Sequence, residues 1–275
     1  MNPSLPTITL VTCSFQQGKF IGSTLDSVLS QQYPGLEYIV IDGGSTDSSV
    51  QTIKAHAAKL AYWVSEPDRG QTDALAKGFE CSRGDIMGWL CSDDLLLPGA
   101  LNSVGRWFAE HPEVDWVYGD AIWIDGKGVP IRTKREMGWN RHVFLFDHNY
   151  LAQPSVFWRR RLYEAAGGLD RNFNLAMDSD LWLRFARISR PHHLARYLSC
   201  MRYYPEQKTR SLKPAGRRED ELLRVREAPA MSTLPRSPLR AFARVQRIAT
   251  KALFGGYTSS VPANLLPWLQ QLEIR

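Results

Sequence analysis

The sequence lacks the two commonest devices for holding phosphates. No GxGxxG turn follows its first apolar segment, where TCSFQQG stands instead, and there is no GxxxxGK[ST] loop. Cysteine is sparse: Cys13, Cys81, Cys91 and Cys200 are scattered, with no CxxC pair. That pattern argues against a zinc site or a disulfide framework and for reduced thiols in a cytosolic setting. No run approaches the roughly 18–20 apolar residues of a spanning helix. The first residues, MNPSLPTITLVTCS, have neither the basic region nor the long apolar core of a signal peptide. A soluble cytoplasmic protein is expected, peripheral at most on the inner face of a membrane. Basic residues are also in short supply over most of the chain. Residues 207–275 carry 13 Lys and Arg against 5 Asp and Glu, out of 34 and 28 in all, so the net charge of +6 belongs to the tail. The main body therefore offers no basic surface with interleaved aromatics, and nucleic acid is not expected as a partner.

What the sequence does have is a full core and a regular alternation. At 275 residues and 44% hydrophobic it can form one large domain or two small ones. TITLVT (7–12) reads as a buried strand, and Phe20, Ile21, Thr24, Leu25, Val28 and Leu29 recur at helical spacing. LEYIVI (36–41) is a second strand running into DGGSTDSS, where Ser45 or Thr46 can cap a helix over 47–59. Further strands are predicted at 60–65, 86–91 and 114–118, with helices at 71–81 and from Pro98 to about Glu110. Strands alternating with helices of some 10–15 residues indicate a parallel sheet covered on both faces.

The chain is organised around GDIMGWLCSDDLLLP (84–98). Asp93 and Asp94 sit between two apolar runs that pull them inward, and an ionised carboxylate is costly to bury without a cation or donors. A strand ending at the rim of a cleft, with a divalent metal beyond it, solves this. The plainer alternative is an acidic turn before a helix N-terminus. Ligands of open α/β sheets bind beyond the carboxyl ends of the strands. Ser14-Phe15, Asp42 and Asp93-Asp94 each follow a strand and should share one rim, which favours a site. A metal on the carboxylates is the natural substitute for a glycine cradle in screening a diphosphate.

TCSF, IDGGSTD, SEPDRGQTDALAKG, GWLCSDDLLLPGAL, QPSVFWRR and LAMDSDLWLRFAR, in this order between 7 and 204, resemble family 2 glycosyltransferases of the GT-A fold. The resemblance implies a Rossmann-like α/β domain with a mixed sheet flanked by helices. Residues 1–206 would be catalytic, 1–120 binding the nucleotide sugar and 121–206 the acceptor, with 207–275 a basic helical extension. It implies inverting transfer from a UDP- or GDP-linked sugar. Carried over, Thr12, Ser14 and Phe15 border the base, Asp42 hydrogen-bonds it, and Asp93 holds the ribose side. Asp94 binds Mg²⁺ or Mn²⁺, Asp73 and Lys77 lie near the donor phosphates or ribose, and Asp178 is the catalytic base. Two departures stand out. MRYYPEQKTRS lacks the His that many members use as a further metal ligand, and Ala76 stands where Asn is common.

The chemistry agrees. Inverting transfer needs one base at the acceptor hydroxyl and charge stabilisation at the departing diphosphate, so two separated acidic groups must divide the work. Asp93-Asp94 and Asp178-Ser179-Asp180 can do so. The alternative for Asp178 is an N-cap of the helix that follows, and for Asp180 a structural pair with Arg184. Trp139 and Gln153 are acceptor-side candidates, against a core Trp and a plain loop. In the tail, SPLRAFARVQRIATKALF (237–254) is a basic amphipathic helix. It suits an anionic membrane surface and a glycan or lipid-linked glycan acceptor, or else packs on the catalytic domain. Two other functions share such a fold. One is a sugar nucleotidyltransferase, whose Gly-rich basic loop TCSFQQGK does not reproduce, and the other is a non-catalytic sugar-nucleotide-binding or assembly protein.

Overall fold

The computed structural model describes residues 4–231, 234–253, 256–257 and 260–272. The first half alternates as its apolar spacing dictates: β1 (Ile8–Ser14), α1 (Ile21–Leu29), β2 (Leu36–Asp42), α2 (Ser49–His56), β3 (Tyr62–Ser65), α3 (Gln71–Glu80), β4 (Ile86–Cys91), β5 (Leu95–Leu96) and α4 (Ala100–Glu110). Then follow β6 (Trp116–Ile124), β7 (Pro130–Lys134), α5 (Arg141–Phe146), β8 (Val156–Arg159), α6 (Arg160–Ala165), α7 (Met177–Ile188) and β9 (His192–Arg202). Four helices form the tail: α8 (Lys208–Ser211), α9 (Lys213–Glu227), α10 (Arg236–Leu253) and α11 (Leu266–Leu272).

The sheet order is β3-β2-β1-β4-β8-β6-β9-β5, with β7 on β6. β1 to β4 run parallel, as the alternation predicts. β8 enters antiparallel to both β4 and β6, which makes the sheet mixed. This is the GT-A arrangement. The register sets Ser14 beside Asp42, Asp42 beside Ser65 and Cys13 beside Cys91, so the parallel strands end on a common rim. Some boundaries differ from the sequence reading. β6 runs on to Ile124 because β7 and β9 pair with its second half. α2 starts only at Ser49, since the Ser45 hydroxyl bonds Asp42 and Thr46 meets Gln16 rather than capping a helix.

Odd positions of β1 (Val11, Cys13) face one core layer and even positions (Ile8, Leu10) the other, the period of a strand buried on both sides. The first layer holds an aromatic cluster that fixes α7 against the sheet. Trp182 stacks on Trp89 of β4 (centroids 5.2 Å apart) and on Trp116 of β6 (5.9 Å), and meets Trp158 of β8 edge-on (5.4 Å). All four indoles are essentially inaccessible to water. Trp182→Ala should therefore cost about 3–5 kcal/mol, read as a lower midpoint in urea unfolding with unchanged slope. Phe at this position should recover most of the loss.

The tail lies on the catalytic body by its polar side. Arg247 Nε meets Asp147 Oδ2 (2.5 Å), Lys251 Nζ meets Glu136 Oε2 (3.3 Å), and Gln246 meets His142 (2.9 Å). Phe242, Val245, Ile248 and Leu253 of α10 face outward. Phe254, the last residue of the expected amphipathic segment, lies outside the described residues.

Candidate functional site

Two loops at the rim are clasped together. After β1, Gln16 adopts φ 54°, a left-handed conformation that non-glycine residues seldom take. Its N–H donates to Ser45 Oγ (2.8 Å), the Gln17 N–H to Ser49 Oγ (3.0 Å) and the Gly18 N–H to Asp47 Oδ2 (2.8 Å). A Cβ at Gly18 would meet the Ser48 hydroxyl, which would have to turn aside. Phe15 stands 60% exposed at the mouth. Ser14 beside it is buried, and its hydroxyl has no hydrogen-bond partner among the described residues.

Two expected base contacts are not at the mouth. Thr12 is fully buried on the inner face of β1, where its hydroxyl bonds that of Tyr38 (3.0 Å). The Asp42 carboxylate is likewise fully buried. It accepts from the N–H groups of Gly44 and Ser45 and from the hydroxyls of Ser45 and Ser65, so it shapes the DGGSTD loop instead of presenting a free acceptor. Asp73 is buried between Arg69 (3.0 Å) and Arg171 (3.0 Å), and hydrogen bonding from Arg69 draws its pKa down to about 2. Lys77 is paired with Glu66 (2.8 Å). These two brace the loop 65–71.

At the end of β4, Cys91, Asp93 and Asp94 bring a sulfur and two carboxylate oxygens within 4.8 Å of one another. Thr24 of α1 holds the turn from beneath, donating to the carbonyls of Ser92 (2.8 Å) and Asp94 (2.9 Å). Burial, and then the charge of Asp93, push the Asp94 pKa well above the usual carboxylate range; burial also raises Asp93. Two neighbouring carboxylates that resist ionising together suit a hard divalent cation, and oxygen donors fit Mg²⁺ or Mn²⁺. The Cys91 thiol is driven up too and contacts Gln71 (3.2 Å) and Gln153 (3.5 Å), so it is no competing thiolate.

The stretch noted only for its missing His supplies other groups. The Arg202 N–H donates to Asp94 Oδ1 (2.8 Å) and its Nε to the Asp93 carbonyl (2.9 Å), while the guanidinium lies over Phe20. Tyr204 Oη donates to Asp93 Oδ2 (3.0 Å). Lys208 Nζ reaches Gln71 (3.3 Å) and the Asn174 carbonyl (2.9 Å). A β-strand leading into YYPEQK gives no local hint of this; only the pairing of β9 with β5 and β6 delivers it.

Asp178 lies in a cavity of about 330 Å³ whose lining includes Trp123, Asn149, Gln153, Asp220 and Arg224 but neither Asp93 nor Asp94. Asp178 is the second residue of α7, whose N-cap is Ala176, so it is not an N-cap. Its Oδ2 accepts from Asn149 Nδ2 (2.9 Å) and its Oδ1 from the Ser179 N–H (2.7 Å). Desolvation, abetted by Asp220, raises its pKa to about 6. Gln153 links this cavity to the end of β4. It lines the cavity, donates to the Trp89 carbonyl (2.8 Å) and accepts from Cys91.

The other two acceptor-side candidates point elsewhere. Asp180 is fully buried, its carboxylate taken by Arg184 (3.0 Å) and Arg226 (2.6 Å), which makes it a structural ion pair. Trp139 packs on Trp116, Phe144 and Tyr150 at the edge of the core. A separate hollow of about 440 Å³ around Gly168–Asn172 and Arg184 contains none of the candidate groups.

The pattern of the Glycosyl transferase family 2 matches residues 9–184. An uncharacterized glycosyltransferase of Mycobacterium tuberculosis is 30% identical over 190 residues, 68% of this chain and 72% of its own length. A PGL/p-HBAD biosynthesis glycosyltransferase of Mycobacterium bovis is 26% identical over 197 residues, 70% of this chain and 74% of its own. Among solved structures, S. aureus TarS 1–349 in complex with UDP-GlcNAc matches with TM-score 0.65 at 17% identity, over 85% of this chain and 69% of that one. Against another, longer TarS structure the chain spans 43% of the length. A mannosyltransferase of Pyrobaculum calidifontis in complex with GDP-Man and Mn²⁺ matches with TM-score 0.62 at 20% identity, over 99% of this chain and 81% of that one.

Proposed function

The chain belongs to glycosyl transferase family 2, and from that premise we propose a metal-dependent transfer, with inversion, of a sugar from a UDP- or GDP-linked donor to a hydroxyl of a glycan or lipid-linked glycan. What supports the reading is the separation of acidic groups into two places, Asp93-Asp94 at the end of β4 and Asp178 in the cavity, with Gln153 lining that cavity and bonded to Cys91 beside the first. Asp94 would hold Mg²⁺ or Mn²⁺, with Asp93 beside it on the ribose side, and the cation would screen the charge of the departing diphosphate. Phe15 and Ser14 border the base, and the free Ser14 hydroxyl offers it a hydrogen bond. Asp42 acts one step back, by fixing the loop that carries Ser45.

At the acceptor, Asp178 takes the proton of the attacking hydroxyl. Asn149 steers its Oδ2, and partial burial leaves it basic enough for the task. A single displacement on the face opposite the diphosphate inverts the anomeric centre, and no second carboxylate is needed as a nucleophile. Trp123 gives the cavity an aromatic wall on which a sugar ring can stack. Melting the protein with UDP and GDP, each with and without Mg²⁺, tests the donor half. At a hundredfold excess over Kd a ligand adds about 2.7 kcal/mol, so one diphosphate should raise Tm by several degrees and more so with the metal. No response to any nucleoside diphosphate would end the proposal.

For the acceptor's location we propose that α10 rests on an anionic membrane surface. Its outward stripe of Phe242, Val245, Ile248 and Leu253 runs beside exposed Arg240 and Arg244, and the helix has no acidic residue. No helix among the described residues is long and apolar enough to cross a membrane. The full-length protein should float with phosphatidylglycerol vesicles at low salt, less so at high salt. A Phe242→Ser, Val245→Ser pair should abolish it, and failure of the wild type to float would rule out the contact.

A further inference from the structure

The match to the family ends at residue 184, yet part of the cavity wall is built from α9. We propose that α9 is a working part of the acceptor site, with Glu219 a positioning residue for Asp178 and Asp220 and Arg224 facing the acceptor. This rests on Asp178 being the base.

α7 does not cap itself. The first turn of any α-helix leaves N–H groups without intrahelical partners. α7 begins after Ala176, which has no side chain to meet them. Glu219 meets the approach instead. Its Oε2 accepts from the N–H groups of Asn174 (3.1 Å), Leu175 (2.8 Å) and Ala176 (2.8 Å), and its Oε1 is 3.2 Å from the first. The donors lie on the segment leading directly to Asp178, and a carboxylate at this end also complements the helix dipole. The Asn174 carbonyl is held by Lys208. Asp178 therefore takes its place from a residue more than 40 positions later in the chain.

The far end of α9 is fastened just as firmly. Glu227 is buried and receives Arg141 (2.9 Å) and Arg187 of α7 (2.7 Å), and Arg226 reaches Asp180 on α7 (2.6 Å). Held at Glu219 and again at Arg226 and Glu227, α9 presents the residues between, Asp220, Leu223 and Arg224, to the cavity that Asp178 and Asn149 also line. The charged or titratable groups around Asp178 are Asp220 and Arg224 from α9, Asp147 and His148 after α5, and Lys134 from β7. Of these, the negative charge of Asp220 opposes ionisation of Asp178. The mixed lining, with an Asp and an Arg beside Trp123, suits an uncharged polyhydroxylated acceptor held by hydrogen bonds from both charge types.

The test measures transfer kinetics on the full chain in four forms. Glu219→Ala should lower kcat by about 30- to 100-fold, the scale of a displaced reacting group, with donor KM and UDP or GDP affinity unchanged. Glu219→Gln, which keeps an accepting oxygen, should restore most of the rate. Asp220→Asn touches no backbone donor, and should move the acid limb of the kcat–pH profile to lower pH. Nucleotide-binding stoichiometry sets the competent fraction, so a merely unstable variant is not read as a slow one. Wild-type kcat in Glu219→Ala, a parallel loss of donor affinity, or an unmoved limb in Asp220→Asn would overturn the proposal. Asp178→Asn keeps the two readings apart. If it retains the wild-type rate, the base assignment fails and this inference with it. If it is inactive while Glu219→Ala is not, only the inference falls.

Discussion

Asp178→Asn should lower kcat by about 10³-fold, within the range usual for loss of a general base, and leave the KM for the donor where it was. The substitution keeps the size of the side chain and an oxygen to accept from Asn149 or the Ser179 N–H. What it removes is the ability to take a proton. The pH profile gives a second readout. With the folded pKa at about 6, the carboxylate form prevails above that value, so the wild-type rate should climb with pH through 6 and level off. The substitution should abolish that limb. Stability carries the opposite sign. The folded pKa lies above that of an unfolded Asp, near ~3.9, so the native state binds the proton more tightly. Wild-type stability falls as pH rises from that lower value through 6 and is flat beyond. The variant should lack this slope, seen as a smaller change of Tm across the interval.

Asp94→Asn should produce the second large loss, on the order of 10³-fold in kcat/KM, equal to the several kcal/mol that a cation contributes to charge stabilisation. Its signature is specific. Nucleoside diphosphate binding should stop responding to added Mg²⁺ or Mn²⁺. The fold itself should not weaken in metal-free buffer, because the change removes one of two like charges that burial and mutual repulsion already penalise. The backbone contact from the Arg202 N–H survives, since the amide oxygen accepts as well. A variant that still binds diphosphate more tightly with the metal would remove Asp94 from its proposed role.

Much of the fold was legible because its signals are local. Period-3.6 and short apolar runs mark the elements from β1 to α4 in order, save the two-residue β5, and the rule about strand ends places Ser14, Asp42 and Asp93-Asp94 on one rim. The finer errors also have physical causes. Thr12 and Asp42 are flanked by residues buried on both faces of the sheet, so alternation could not say which side chains emerge at the mouth. Asp180 differs from Asp178 only in helical phase. Two positions turn it through roughly 200° of the helix at 3.6 residues per turn, away from the cavity and into Arg184 and Arg226. The contributions of Arg202, Tyr204 and Glu219 depend on partners about 40 to 110 residues away, for which a linear reading has no cue. The amphipathic tail helix was visible, but its docking side was not. Arg247 and Lys251 look solvent-bound in sequence until Asp147 and Glu136 are found opposite them.

The bond from Glu219 to the start of α7 has a consequence in time as well as in space. A ribosome adds Asp178 some 40 residues before Glu219, and β9 comes between them, so the N–H groups leading into α7 gain this acceptor only after the sheet's last strand has been made. The lock on the start of α7 arrives only with the last quarter of the protein. Trimming the gene at residue 184, where the recognisable pattern stops, would take β9 out of the sheet along with this lock, and exchanging tails between relatives would trade one side of the cavity around Asp178 for another.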